Sequence, residues 1–220
     1  MSRVWDKTPK AKGSTLRPFS GEVVPLEIKD ELYFNRRYEI DVATAAHHIR
    51  VAPTTNRYVL PIYSPEGWWR GVVLRTPWPE APRKLIETTF SLPKADTFMS
   101  RHEPVQSFYR AEHGDHSHLV IVEDQLSAIK LVDHGHDAVA VLGTPYSKWL
   151  TSFADAPRIA ELAREAGSRE TIVAFDADAT DQAFEFVRKW GPTFQRIRVA
   201  ILDMDLKDTP YNEFRGILGV

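Results

Sequence analysis

Six carboxylates suggest chemistry before any other feature does. Glu123 ends the apolar run LVIVE. Asp176 and Asp178 close TIVAFDAD, and Asp203, Asp205 and Asp208 follow IRVAIL. Acids gathered in one place repel, and each raises its neighbours' pKa. A hard divalent cation removes that conflict. Mg²⁺ prefers oxygen ligands and usually takes a few carboxylates together with phosphate oxygens. The Asp-x-Asp spacing lets Asp176 and Asp178 address one ion from a strand end. The pattern therefore points to a site using Mg²⁺ (or Mn²⁺) for phosphoryl or phosphodiester chemistry. A strand-end acid can also cap the next helix, and Asp178 or Thr180 stands where it would cap a helix beginning at Ala179.

The elements that must position these acids are legible after His118. Leu119–Glu123, Ala138–Gly143, Thr171–Asp176 and Ile197–Leu202 read as buried strands. Helical patterns over 124–134, 156–166 and 179–190 alternate with them. That alternation predicts a parallel sheet with helices on its faces, and such sheets bind ligands at the carboxyl ends of their strands. Before His118 the pattern differs. Residues 31–50 read as one or two helices, with Asp41 as a cap. Tyr58–Tyr63, the turn Ser64-Pro65-Glu66-Gly67, and Trp68–Leu74 read as a hairpin. Residues 1–30 read as a basic arm or irregular lead-in, and 77–117 carry no clear pattern.

Composition excludes several classes. The chain has 220 residues and no cysteine. Thiolate catalysis, disulfide scaffolds, iron–sulfur clusters and Cys-ligated zinc are therefore out. No apolar run approaches the roughly 20 residues that span a bilayer, and no secretory signal is visible. The expectation is a cytoplasmic chain with no membrane partner. The net charge of -2 conceals a split: residues 1–118 hold 17 basic and 14 acidic side chains, and 119–220 hold 11 and 16. A weakly basic half beside an acidic half suits a polyanion groove leading to a metal site.

Read together, LVIVEDQLSAIKL, AVAVLGT, AFDADAT and ILDMDLKD resemble the successive motifs of the TOPRIM domain, and most nearly those of bacteriophage primases of the bacterial type. The resemblance covers about residues 118–213. It departs from the family at Asp124 and Thr180, where Gly is usual, and at Ser127, where Asp is frequent. YFNRRYEIDVATAAHHI and RYVLPIYSPEGWWRGVVLR are similar, more faintly, to the segments that open a primase polymerase core. The implied architecture is α/β. A TOPRIM-like parallel sheet flanked by helices would occupy 118–220, and an N-terminal α+β subdomain 31–117. The implied activity is DNA-templated RNA primer synthesis. Glu123, Asp176 and Asp178 would be catalytic and metal-binding, with Asp205 and Asp208 completing the ion cluster. The implied partners are a single-stranded DNA template, NTPs, and a replicative helicase or template-recognition protein.

Arg36, Arg37, Arg70, Arg75, Arg83, Lys84 and Lys207 are the candidates for nucleic-acid or nucleotide phosphates. Trp68 and Trp69 could stack on bases. Primases of this type usually carry a Cys-ligated zinc ribbon, so a chain without cysteine is expected to work without its own zinc reader. HGDHSH offers His113, Asp115, His116 and His118 at a zinc-like spacing, although a solvated loop explains them as well. A TOPRIM nuclease and a non-catalytic nucleic-acid-binding module are the competing functions.

Overall fold

The computed structural model describes residues 21–54, 57–75, 95–99, 106–114, 116–142 and 156–219. Two five-stranded sheets organise them. The first contains β1 (Val24–Pro25), β2 (Arg50–Ala52), β3 (Arg57–Tyr63), β4 (Trp69–Arg75) and β5 (Ala95–Met99), in chain order and antiparallel. Helices α1 (Ile28–Tyr38) and α2 (Val42–His48) join β1 to β2. Asp41 caps α2 by accepting the Ala43 N–H at 2.8 Å. In the hairpin turn, Ser64 N–H donates to the Trp68 carbonyl at 2.8 Å, and Gly67 takes φ 86°, which favours glycine. Within the expected lead-in of residues 1–30, Val24–Pro25 pairs with β2, and Ile28 opens α1.

The second sheet has the order β10-β9-β7-β8-β6. Its strands are β6 (Ser107–Tyr109), β7 (His118–Val122), β8 (Ala138–Ala140), β9 (Glu170–Val173) and β10 (Arg196–Val199). All pair in parallel except β6, which runs antiparallel to β8. Helices α3 (Gln125–Asp133), α4 (Ala156–Ala166), α5 (Thr180–Trp190) and α6 (Tyr211–Leu218) accompany them. The α/β architecture expected from the sequence is present. β8 stops short of Gly143 because Leu142 takes φ 60°, where no strand continues. Beyond the elements expected from the sequence, this half gains β6 and α6, as the first sheet gains β1, β2 and β5. β6 arises from the stretch without clear pattern and completes the second sheet. α6 follows Pro210 and ends at the left-handed Gly219.

Side-chain alternation explains how the sheets share a core. Leu119 and Ile121 of β7 face a cluster with Leu162 of α4 and Phe186 of α5. Val120 and Val122 point the other way. They join a cluster that runs through Leu60, Ile62 and Val73 of the first sheet to Phe34 of α1. A parallel sheet buried on both faces requires this double apolar set. The register places Ile121 beside Val173, and Val173 beside Val199. The segments beginning at Glu123, Asp176 and Asp203 therefore leave the sheet at the same end.

Candidate active site

Glu123 directly follows β7 and is only 7% exposed. Burial first, and then the Asp178 charge, push its carboxyl up to about 7, while a hydrogen bond from the Asp176 backbone opposes this. Asp176 stands at the head of the short 3₁₀ turn Ala177–Ala179 after β9, with its carboxylate not used as a cap. Burial and the charges of Asp124, Asp205 and Glu123 push it up to about 7 as well, against the pull of Lys207. Asp178 lies on that turn, exposed. Asp205 precedes a second 3₁₀ turn, Leu206–Asp208. These four carboxylates thus form a cluster in which charges raise one another's cost.

Lys207 stands among them. Its Nζ lies 2.9 Å from Asp124 Oδ2, 2.6 Å from Asp205 Oδ2 and 3.8 Å from Asp176 Oδ2. Burial would lower the pKa of this ammonium, but the Asp124 and Asp176 charges and two hydrogen bonds hold it raised. Asp124 has two tasks. It caps α3, accepting the Leu126 and Ser127 N–H groups at 2.8 and 3.1 Å, and it pairs with Lys207 and, at 3.7 Å, with Arg75. Burial alone would raise Asp124, yet Lys207, Arg75 and the Ser127 N–H hold it down at about 2. In the sequence Asp124 stands out only as a departure from a glycine; the signal for its capping role is an Asp at the head of a helical pattern.

An all-carboxylate donor set suits a hard cation rather than a soft one. Among the described residues, no three His, Asp or Glu side chains converge closely enough to hold a metal as they stand. The Lys207 ammonium is the positive charge between Asp124, Asp176 and Asp205. Mg²⁺ asks for only one or two carboxylates when substrate phosphates supply the rest, so the donor chemistry still fits.

By sequence, no protein-family model and no curated protein matches the chain. Solved structures do match. The Aquifex aeolicus primase, comprising its zinc-binding and RNA polymerase domains, superposes with TM-score 0.60 at 14% identity, covering 88% of this chain and 56% of that one. A DnaG primase catalytic domain bound to ssDNA gives 0.59 at 14% identity, covering 86% and 71%. A DNA primase domain from Pseudomonas aeruginosa gives 0.51 at 22% identity, covering 74% and 50%. The fold is that of a primase catalytic core. The chain spans about half the length of the Aquifex and Pseudomonas proteins.

Within this primase-core fold the other candidates separate. Arg75 ends β4 beside the acidic cluster, through Asp124. Arg37 pairs with Asp208 at 2.6 Å, so Asp208 faces α1 rather than Lys207. Arg36 and Arg37 line a hollow of about 460 Å³ with Lys29, Leu32 and Tyr33. Arg70 is directed elsewhere. Its guanidinium binds both Glu161 oxygens at 2.6 and 3.0 Å, and Gln106 adds a third bond to that carboxylate at 2.6 Å. The pair joins β4 to α4 and is largely buried, which suits a structural clamp better than a phosphate contact. Arg83 and Lys84 lie outside the described residues. Trp68 is 74% exposed at the hairpin tip, and Trp69 is also exposed.

Among the described residues, the histidines of HGDHSH do not converge on a zinc site. His116 lies 3.1 Å from Asp137, and His118 lies 3.3 Å from Glu170. His113 lines a separate cavity beside α2, and Asp115 lies outside the described residues. Another residue absent from the sequence reading is Lys130. Buried on α3, it donates to the Thr209 carbonyl at 2.6 Å and reaches the Lys207 carbonyl at 3.4 Å. It fixes the main chain that carries Asp205 and Lys207. No described helix is long and apolar enough to cross a membrane.

Proposed function

We propose that this chain is a primase-type nucleotidyltransferase that makes RNA primers on single-stranded DNA in replication. The observation that carries the reading is the gathering of Glu123, Asp176, Asp178, Asp205 and Lys207 at the carboxyl end of a parallel sheet, within the fold of a primase core. A sheet of this kind binds its ligand there. In this reading residues 118–220 are a TOPRIM domain and 31–117 a primase-like α+β subdomain, which β1 and the start of α1 extend back into the 1–30 basic arm or irregular lead-in. One of the similar structures is a catalytic domain bound to ssDNA, which supports a DNA template as the partner here.

Glu123, Asp176 and Asp178 would hold Mg²⁺ or Mn²⁺, with Asp205 at the edge of the same cluster. The bound ion would neutralise triphosphate charge and acidify the attacking 3′-hydroxyl. The protein's own work is to position and neutralise. Burial and crowding keep Glu123 and Asp176 reluctant to ionise until a cation arrives. Lys207 and Arg75 meet phosphate oxygens from the cluster's cationic side. Arg36 and Arg37 lead the template strand past α1, and the exposed Trp68 is offered to its bases; Arg83 and Lys84, which lie outside the described residues, are further candidates for its phosphates. Asp208 orients Arg37. A replicative helicase, or a separate template-recognition protein, completes a cysteine-free core.

The test is template-dependent incorporation of labelled NTPs with Mg²⁺, with and without the cognate helicase. Short ribonucleotide ladders are expected. Shortened template without incorporation would replace this reading with a nuclease, and neither product would leave a binding module.

A further inference from the structure

Lys207 holds the place that a cation would take. Its ammonium contacts Asp124 and Asp205 and approaches Asp176, so it draws together carboxylates from the ends of β7, β9 and β10. Only its side chain needs to move to change this. The Lys207 and Thr209 carbonyls are anchored to Lys130, which is itself buried on α3. Asp124 stays fixed as well, because the α3 N-terminus and Arg75 hold it when the ammonium leaves.

We propose that Lys207 is a built-in counter-ion that holds the acidic cluster together without metal, is displaced when the divalent cation binds, and then turns to the phosphates of the incoming nucleotide. This rests on the metal-site reading above, and it adds an exchange in which one residue serves two partners in turn. No covalent step is involved. One positive charge moves off the carboxylates as two arrive, and the ammonium goes to an oxyanion brought by the substrate. The device solves a physical problem: Asp124, Asp176 and Asp205, brought to one sheet end from three strand ends, would otherwise repel one another before loading.

The experiment uses the full chain with ¹⁵N-labelled lysine. A buried ammonium held by two carboxylates exchanges its protons slowly and gives its own NMR signal, assigned by its absence in Lys207→Met. Mg²⁺ uptake is followed in parallel by calorimetry. The Lys207 signal is expected to shift or vanish as Mg²⁺ saturates. Lys207→Met is expected to bind Mn²⁺ on the order of tenfold more tightly and to melt at a lower temperature without metal. Arg75→Gln removes a nearby charge that does not touch Asp205, and should change Mn²⁺ affinity less. Mg²⁺ uptake with an unchanged lysine signal overturns the exchange and leaves the metal site standing. Equal effects of Lys207→Met and Arg75→Gln on Mn²⁺ affinity also overturn it. Absence of metal uptake by both the wild type and Lys207→Met, with nucleotide present, overturns the metal site and the exchange together.

Discussion

Glu123 and Asp176 titrate near 7 because burial and neighbouring carboxylates disfavour their charged forms. An acid whose folded pKa lies above its unfolded value stabilises the fold while protonated. That stability is complete below the unfolded pKa, near 4, and is lost as pH rises through about 7. Asp124 works in the opposite sense, but its contribution is lost only as pH falls below about 4 towards about 2. Buried His48, held down to about 3, gives up stability as pH falls below about 6.5, but the two carboxylates outweigh it, so the metal-free protein, kept in chelator, is expected to melt higher at pH 5 than at pH 8 in a calorimetric scan. Asp176→Asn separates function from stability at the same atom. It should lower NTP incorporation by about 10²-fold or more while raising the metal-free melting temperature. Unchanged incorporation would remove Asp176 from the site. The carboxylates themselves were visible in the sequence because each follows an apolar run. Their partner was not: Lys207 meets Asp124 across 83 positions of chain, and no local pattern encodes such a contact.

At the scale of elements, the junction between the two sheets contains a buried polar network. Gln125, the first residue of α3, donates to the Pro61 carbonyl at 2.7 Å and to the Tyr109 hydroxyl at 2.9 Å. Tyr109 in turn donates to Pro61 at 3.0 Å. Pro61 sits inside β3 and lacks an N–H, so its carbonyl is the group it can offer across the junction. The Arg70–Glu161 pair clamps the opposite elements, β4 and α4. Glu161→Ala leaves the Arg70 charge poorly compensated and should cost about 3 kcal/mol, read by denaturant unfolding. Combining it with Arg70→Met should recover much of that loss, which a phosphate-binding Arg70 would not do. A tight backbone approach braces the same sheet. A methyl group on Gly114 would lie 2.2 Å from the Gly135 carbonyl oxygen. Gly114→Ala should therefore shift the loop before β7 and lower the melting temperature, whereas Gly67→Ala, with open space around it, should cost only its unfavourable φ. The strands after His118 and the three helices between them were legible from their periods, whereas the short α6 was not. β6 was not, because three residues inside a Pro- and His-rich stretch carry too short a pattern.

For the molecule as a whole, one apolar cluster extends from Leu26 and Phe34 through both sheets to Leu202 and Phe214. The two halves are thus expected to unfold together, with far-ultraviolet circular dichroism and tryptophan fluorescence following one transition. Two separated transitions would show that the halves are independent. Residues 118–220 expressed alone lose Leu60, Ile62 and Tyr109 from that cluster and should not fold cooperatively. The charge split has its place in this assembly: cations on α1 and β4 border a carboxylate cluster on the second sheet. The sequence by itself determined the α/β class, the alternation of strands and helices along the chain after His118, and the acids at the strand ends. These depend on local periodicity and on which residue follows an apolar run. The tertiary structure alone decided which charges meet. It placed Lys207 among the carboxylates, gave Asp208 to Arg37, and committed Arg70 to Glu161. Ion pairs are chosen by distance and burial in the folded chain, and residues 80 or 90 positions apart acquire neither until the two sheets close on a common core.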